Sequence, residues 1–330
     1  MTISTKTSLL ISCIFFTMIF IECISDASRN NPLDPQNPNS SVELSGTVFT
    51  LYPPHQPIEN ARVIINPGNI ILITNSEGQF TFSNIKPGAY KLLGSAEGFS
   101  KDSIQIEISN TTSKDFFLNG LPYFKQIHLT TQHISRWFPS GDIFSMQIEV
   151  IANDGDGAGD IDKIWYELEN HSFTDTLTQV TPGSENFRGI ASEFELPLNN
   201  LHELIGKPIT FFIKDLPGEI VISDNHFLSR IIDETPQLIS PVGLAIINTF
   251  PIILEWRRVT NLQYPFSYRI EILSIDLGLK VDEIENIQAS ESTIQYNNTL
   301  DNGDYFWVLY IVDEFGNNSS SKEGSFRVQQ

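Results

Sequence analysis

From about residue 40 onward the chain is a succession of short apolar alternations. Each is closed by a cluster of Gly, Pro, Asn or Asp, at a spacing of about 8–12 residues. Val, Ile, Phe, Tyr and Thr dominate the runs, and long helical patterns are scarce. A period of two puts one face of each run inward, and such a face must be buried against a second sheet. The pattern therefore predicts an all-β chain built from stacked sandwiches. Two breaks, near Asn119-Gly120-Leu121-Pro122 and near Asp233-Glu234-Thr235-Pro236, divide it. The pieces, residues 42–120, 121–234 and 235–330, are each long enough to bury a core of their own.

In the first piece the alternation predicts strands over 42–50, 61–66, 70–74, 79–83, 89–95, 103–108 and 113–118. Their turns have chemical causes. Gly78 in Ser76-Glu77-Gly78 can take positive φ without steric cost, and Pro87 in Lys86-Pro87-Gly88 presets the first corner of a turn. Gly46-Thr47-Val48, Ile58-Glu59-Asn60-Ala61-Arg62-Val63, Ser76-Glu77-Gly78-Gln79-Phe80, Ile85-Lys86-Pro87-Gly88-Ala89-Tyr90 and Ala96-Glu97-Gly98-Phe99 occur in this order. Together they resemble the carboxypeptidase regulatory-like domain, a prealbumin-like β-sandwich. The resemblance implies the accessory sandwich and not the peptidase. The catalytic zinc domain needs a His-x-x-Glu pair, and none of His55, His128, His133, His171, His202 or His226 has Glu three residues later.

The second piece alternates over Phe144-Ser145-Met146-Gln147-Ile148-Glu149-Val150, with further strands expected over 164–168, 191–196, 209–214 and 219–223. It resembles the immunoglobulin-like domains of bacterial surface proteins. In the third, Leu254-Glu255-Trp256, Tyr268-Arg269-Ile270-Glu271-Ile272, Leu300-Asp301-Asn302-Gly303-Asp304-Tyr305-Phe306-Trp307 and Gly324-Ser325-Phe326-Arg327-Val328 resemble a fibronectin type III domain. That resemblance implies a buried Trp256 and a tyrosine corner at Tyr305. The expected fold is thus three tandem immunoglobulin-like/prealbumin-like β-sandwich domains after a signal peptide.

The signal is read from residues 1–22. Lys6 is followed by an apolar run over 9–21, which as a helix spans about 20 Å, short of the roughly 30 Å hydrocarbon core. A basic start before a short apolar run is the pattern of a secretory leader, and an uncleaved anchor is the competing reading. Cys23 stands where bacterial lipoproteins carry their acylated cysteine, and the Asn/Pro-rich stretch in residues 23–41 resembles the tether of surface lipoproteins. Glu22 occupies a position that is normally small, so cleavage after Ala27 within Ser25-Asp26-Ala27 stands as the alternative. Acylation of Cys23 would place the chain in the cell envelope, at the outer membrane or cell surface, held by its N-terminal lipid.

Charge and residue inventory narrow the chemistry. With 20 Lys+Arg against 40 Asp+Glu, the chain lacks the clustered cations that nucleic acid requires. Cys13 and Cys23 are its only cysteines, which excludes a disulfide or cysteine metal site in the mature body. Gly94-Ser95-Ala96-Glu97-Gly98 does not follow the order of a nucleophile elbow, and no glycine-rich loop leads from a strand into a helix.

Asp154-Gly155-Asp156-Gly157-Ala158-Gly159-Asp160-Ile161-Asp162 is the strongest candidate site. Four carboxylates on a glycine-rich turn suit Ca²⁺, a hard cation that takes six to eight oxygens. Asp154, Asp156, Asp160 and Asp162 fall at positions 1, 3, 7 and 9 of an EF-hand register. Ala158 and Trp165 occupy positions 5 and 12 and the flanks read as strands, which argues against an EF-hand, and a solvated inter-strand turn is the plain alternative. Trp137-Phe138 beside Pro139-Ser140-Gly141 is expected in a loop, where an aromatic ring can serve a sugar. Trp165, Trp256 and Trp307 lie in strand patterns. Asn110-Thr111-Thr112, Asn170-His171-Ser172, Asn297-Asn298-Thr299 and Asn317-Asn318-Ser319 match the N-glycosylation pattern and are read as polar turn residues.

These readings point to a non-catalytic, exported envelope protein whose modules serve structure or bind a protein or glycan. Two alternatives are an accessory subunit or enzyme of extracellular polysaccharide or peptide turnover, and a calcium-dependent adhesion module.

Overall fold

The computed structural model of the protein describes residue 37, residues 41–168 and residues 173–329. The leader, Cys23, nearly all of the tether and the Asn170-His171-Ser172 motif lie outside the described residues. The chain forms two compact units, meeting in sequence at Gly120 and Leu121.

The first unit contains β1 (Val42–Thr50), β2 (Arg62–Asn66), β3 (Ile70–Ile73), β4 (Gln79–Ile85), β5 (Gly88–Ser95), β6 (Asp102–Ile108), β7 (Thr112–Ser113) and β8 (Phe116–Leu118). One sheet is built on β1, flanked by antiparallel β4 and by parallel β7 and β8. The other runs β3-β2-β5-β6. Alternation decides what lies between them: Leu44, Val48, Val63, Ile65, Phe80, Phe82, Leu92 and Phe116 form the buried cluster. The expected strand over 113–118 is two pieces, because the chain is tied sideways to β1 between them. The Lys114 N–H donates to the Ser45 carbonyl, and the Thr47 N–H donates to Asp115 Oδ1. The turn at Gly78 is closed by Asn75, whose Oδ1 accepts from the N–H groups of Glu77 and Gln79.

The second unit opens with β9 (Pro122–Ile134), β10 (Ile143–Asp154), β11 (Ile161–Leu168), β12 (Phe173–Thr176), β13 (Thr178–Gln179), β14 (Asn186–Ser192), β15 (Ile209–Asp215) and β16 (Ile220–His226). Sheets β13-β14-β10-β9 and β12-β11-β15-β16 enclose Met146, Ile148, Val150, Ile164, Tyr166, Phe187, Phe211 and Ile213. The strand expected over 191–196 instead lies at Asn186–Ser192. Beyond it the chain turns, leaving Phe194 exposed.

The same unit continues with β17 (Gln237–Ser240), β18 (Ala245–Ile247), β19 (Ile252–Arg257), β20 (Phe266–Ser274), β21 (Leu279–Gln288), β22 (Thr293–Tyr296), β23 (Gly303–Asp313), β24 (Asn318–Ser320) and β25 (Gly324–Val328). Its core is a separate cluster around Trp256, Tyr268, Ile270, Trp307, Leu309 and Phe326. Trp256 is buried, and the Tyr305 hydroxyl donates to the Asp301 carbonyl at 3.1 Å, the geometry of a tyrosine corner.

The two sandwiches of this unit share one sheet. β24 pairs in parallel with β9, placing Asn318 opposite Gln132, Ser319 opposite His133 and Ser320 opposite Ile134. The sheet therefore runs continuously as β13-β14-β10-β9-β24-β23-β20-β21. The seam is polar and buried: Thr131, His133, Ser135 and Asn317 through Ser321 are all inside. Asn317 is the knot, fully buried, with all its side-chain hydrogen-bonding groups engaged. Its Oδ1 accepts from Thr131 N and Oγ1, while its Nδ2 donates to Ser229 Oγ and Asp313 Oδ2. Asn317-Asn318-Ser319 is thus no surface turn.

Candidate metal centre

The acidic loop sits where the chain leaves one sheet of the second unit for the other. β10 ends at Asp154, a single 3₁₀ turn spans Ala158–Asp160, and β11 starts at Ile161. Gly157, at φ 108°, adopts the left-handed half of backbone space that lets the loop reverse. The Gly157 N–H donates to the Asp154 carbonyl and the Asp160 N–H to the Gly157 carbonyl. Asp154 Oδ1 accepts from the Asp156 N–H at 2.7 Å. These bonds turn three side chains toward one point: carboxylate oxygens of Asp154, Asp156 and Asp160 lie within 4.8 Å of one another.

Asp154 is 4 % exposed and Asp160 6 %. Asp154 Oδ2 is buried with no hydrogen-bond partner. Burial pushes the Asp154 carboxyl up to about 7, opposed by the Asp156 N–H and reinforced by the charges of Asp160, Asp156 and Asp215. Asp215, fully buried at the end of β15, accepts from the N–H groups of Gly218 and Glu219, and the next residue's N–H reaches the Asp160 carbonyl. It is the part of this acidic neighbourhood that linear spacing misses, being far from the loop in sequence. Its signal is the Asp215-Leu216-Pro217-Gly218 turn, which carries no mark of what it packs against. Asp162 does not join the group. It lies on β11 and pairs with Lys214 Nζ at 3.1 Å.

A second feature is a cavity of about 620 Å³ whose walls include Ser135, Trp137, Gln237, Leu238, Lys322 and Glu323. Trp137 is 64 % exposed. Its Nε1 donates to the Glu323 carbonyl, and Lys322 Nζ lies 4.4 Å from the ring centroid, so the indole is held in place from one side. Glu323 Oε2 is buried without a partner. Trp256 and Trp307 are core, and Trp165 stacks on Phe212 at 5.1 Å.

Ser319, His133 and Asp142 stand in the order of a catalytic relay, with Ser319 Oγ 3.3 Å from His133 Nδ1 and His133 Nε2 3.3 Å from Asp142 Oδ2. The arrangement does not activate the serine. Ser319 is fully buried in the seam, and His133 Nδ1–H donates to the Ile232 carbonyl at 3.0 Å. A base that donates its proton elsewhere cannot accept one from the hydroxyl.

Comparison with known proteins agrees with the first unit's architecture. Residues 44–120 match the family model of the CarboxypepD_reg-like domain. That segment is similar to a carboxypeptidase regulatory-like domain, and the remainder is built of β-sandwich sheets. A search of curated proteins finds no significant match to the chain. Among solved structures it is similar to a DUF3823 family protein from Bacteroides ovatus, at 13 % identity and a TM-score of 0.23, covering 57 % of this chain and 98 % of that one. It is also similar to BcpA, the major pilin subunit of Bacillus cereus, at 9 % identity and a TM-score of 0.31, covering 88 % and 96 %. The FN1–FN3 domains of chicken CNTN1 match at 11 % identity and a TM-score of 0.33, covering 88 % and 92 %.

Proposed function

We propose that the chain is an exported envelope protein, anchored through a lipid on Cys23, that catalyses no reaction and presents β-sandwich modules to a ligand. The observation that carries this reading is the continuous sheet of the second unit. Two sandwiches joined by backbone pairing and a buried polar seam make a stiff presenter, whereas a flexible hinge would leave a binding face unaligned. The sealed Ser319–His133–Asp142 set supports the non-catalytic side. Among the described residues no helix is long and apolar enough to cross a membrane.

The test is a mass spectrum of the mature N-terminus from the membrane fraction. Acylated Cys23 is expected, with release into the soluble fraction in Cys23→Ser. A free start at Ser28 in a wholly soluble protein would remove the anchor. Turnover of a polysaccharide or peptide substrate by the purified chain would overturn the non-catalytic reading.

For the ligand, the cavity beside Trp137 favours a glycan: a held, half-open indole offers a stacking face, and the Glu323 carboxylate offers an acceptor for sugar hydroxyls. On a glycan array, Trp137→Ala is expected to weaken retention about tenfold, the loss of roughly one aromatic contact. Equal retention by the two proteins would transfer the role to a protein ligand.

A further inference from the structure

We propose that Asp154, Asp156 and Asp160 bind one Ca²⁺, and that the ion pins the corner where the second unit's chain passes from one sheet to the other. The inference stands apart from the anchoring and glycan readings. Two observations meet here. The first is geometric: an ion about 2.4 Å from each ligand can touch oxygens separated by at most twice that distance, and the three carboxylates satisfy this limit. The second is the state of Asp154, which is 4 % exposed and whose Oδ2 is buried without a hydrogen-bond partner. A buried carboxylate oxygen left unmatched costs free energy that a cation would recover.

The chemistry of the group selects the class of ion. Its donors are all carboxylate oxygens, which suits a hard divalent cation and disfavours one that prefers nitrogen or sulfur. Backbone carbonyls and water would complete the shell. The position gives the ion a mechanical role. β10 belongs to the sheet that continues into the third sandwich, while β11 belongs to the facing sheet. The Leu216 N–H on the Asp160 carbonyl ties in the turn after β15 as well. An ion there would fasten three chain segments at one end of the sandwich.

The probe is CaCl₂ titrated into the whole mature chain after chelator treatment, followed by calorimetry and thermal melting. Wild type is expected to take up one ion with a dissociation constant on the order of 0.1–1 mM, as extracellular modules do. Its melting temperature should rise by about 5 °C near 5 mM ion. Asp154→Asn retains the shape and the bond from the Asp156 N–H and is expected to bind at least about tenfold more weakly. Asp162→Asn, whose parent residue faces Lys214, should bind within about twofold of wild type. Circular dichroism in chelator establishes that each variant folds, and Asp156→Asn replaces Asp154→Asn should the latter not. Absence of heat and of a melting shift in wild type at about 10 mM ion would overturn the proposal. So would wild-type affinity in the folded variant of either Asp154 or Asp156. A loss in Asp162→Asn as large as in Asp154→Asn would overturn the ligand set.

Discussion

Replacing Asn317 with alanine is expected to destabilise the second unit by about 2–3 kcal/mol and to divide its unfolding into two transitions. The side chain is fully buried and makes bonds to four groups from three parts of the chain: Thr131 N and Oγ1 on β9, Ser229 Oγ after β16, and Asp313 Oδ2 at the end of β23. Alanine abandons all of them. Thr131 N–H sits at a buried position, where it loses its acceptor. Asp313 keeps its bonds from the backbone N–H groups of Phe315 and Asn317 and its contact with Arg230, but loses its amide donor. A buried donor deprived of its partner costs about 1–3 kcal/mol, and the Thr131 N–H is left so here, whereas Thr131 Oγ1 keeps its bond to the Arg230 carbonyl. The split follows from where the bonds lie. They tie β9, in one sandwich core, to the start of β24, in the other, so their loss is expected to uncouple the two clusters. Trp137, Trp165, Trp256 and Trp307 are the chain's only tryptophans and all lie in the second unit. Their fluorescence in a denaturant titration therefore follows that unit alone. A single transition within about 1 kcal/mol of wild type would mean that the seam is held by backbone pairing and not by Asn317.

The seam also marks the limit of what the sequence discloses. Hydrophobic period two reports strands with one apolar face, and it located β1, β10 and β20 because their inward residues are Leu44 and Val48, Met146 and Ile148, and Tyr268 and Ile270. Turn chemistry did the rest in the first unit, where Asn75 and Gly78 fix the reversal. β9 and β24 escape that signal. Asn317, Asn318 and Ser319 read as polar turn residues, in a stretch that matches a glycosylation motif. They are inside because two strand edges, 186 residues apart in register, pair, and Asn317 takes up the Thr131 N–H across them. Burial by hydrogen bonding leaves no apolar imprint in a sequence. The acidic loop divides along the same line. Asp154, Asp156 and Asp160 were legible because a short glycine-rich turn must bring them together. Asp162 looked equivalent by spacing, yet it has already entered β11, where it pairs with Lys214. Asp215 reaches the group only through the pairing of β15 with β11, a long-range fact that local spacing does not encode.

Gly46→Ala is expected to prevent the first unit from folding cooperatively while leaving the second unit's fluorescence midpoint unchanged. Gly46 lies on the inward face of β1 between Leu44 and Val48. A Cβ there would overlap the Lys114 carbonyl oxygen and stand 2.7 Å from Phe80 Cζ. Neither neighbour can give way cheaply. Lys114 lies between β7 and β8, held by its own N–H on the Ser45 carbonyl and by the Thr47 N–H on Asp115. Phe80 is locked in the core against Phe82 and Phe116. Relief would require stripping the parallel return strand from β1, and overpacking against fixed backbone costs about 3 kcal/mol or more. Gly98→Ala supplies the contrast. That glycine, at φ 77°, has open space around its would-be Cβ, so only backbone strain is added, about 1 kcal/mol. Both glycines fall in motifs that resemble the carboxypeptidase regulatory-like domain, but they are there for different physical reasons, close approach at Gly46 and turn conformation at Gly98. Limited proteolysis and circular dichroism of the whole chain separate the two. Rapid cleavage confined to residues 42–120 is expected for Gly46→Ala and not for Gly98→Ala. Equal resistance in both would mean that β7 and β8 can shift without loss of the sandwich.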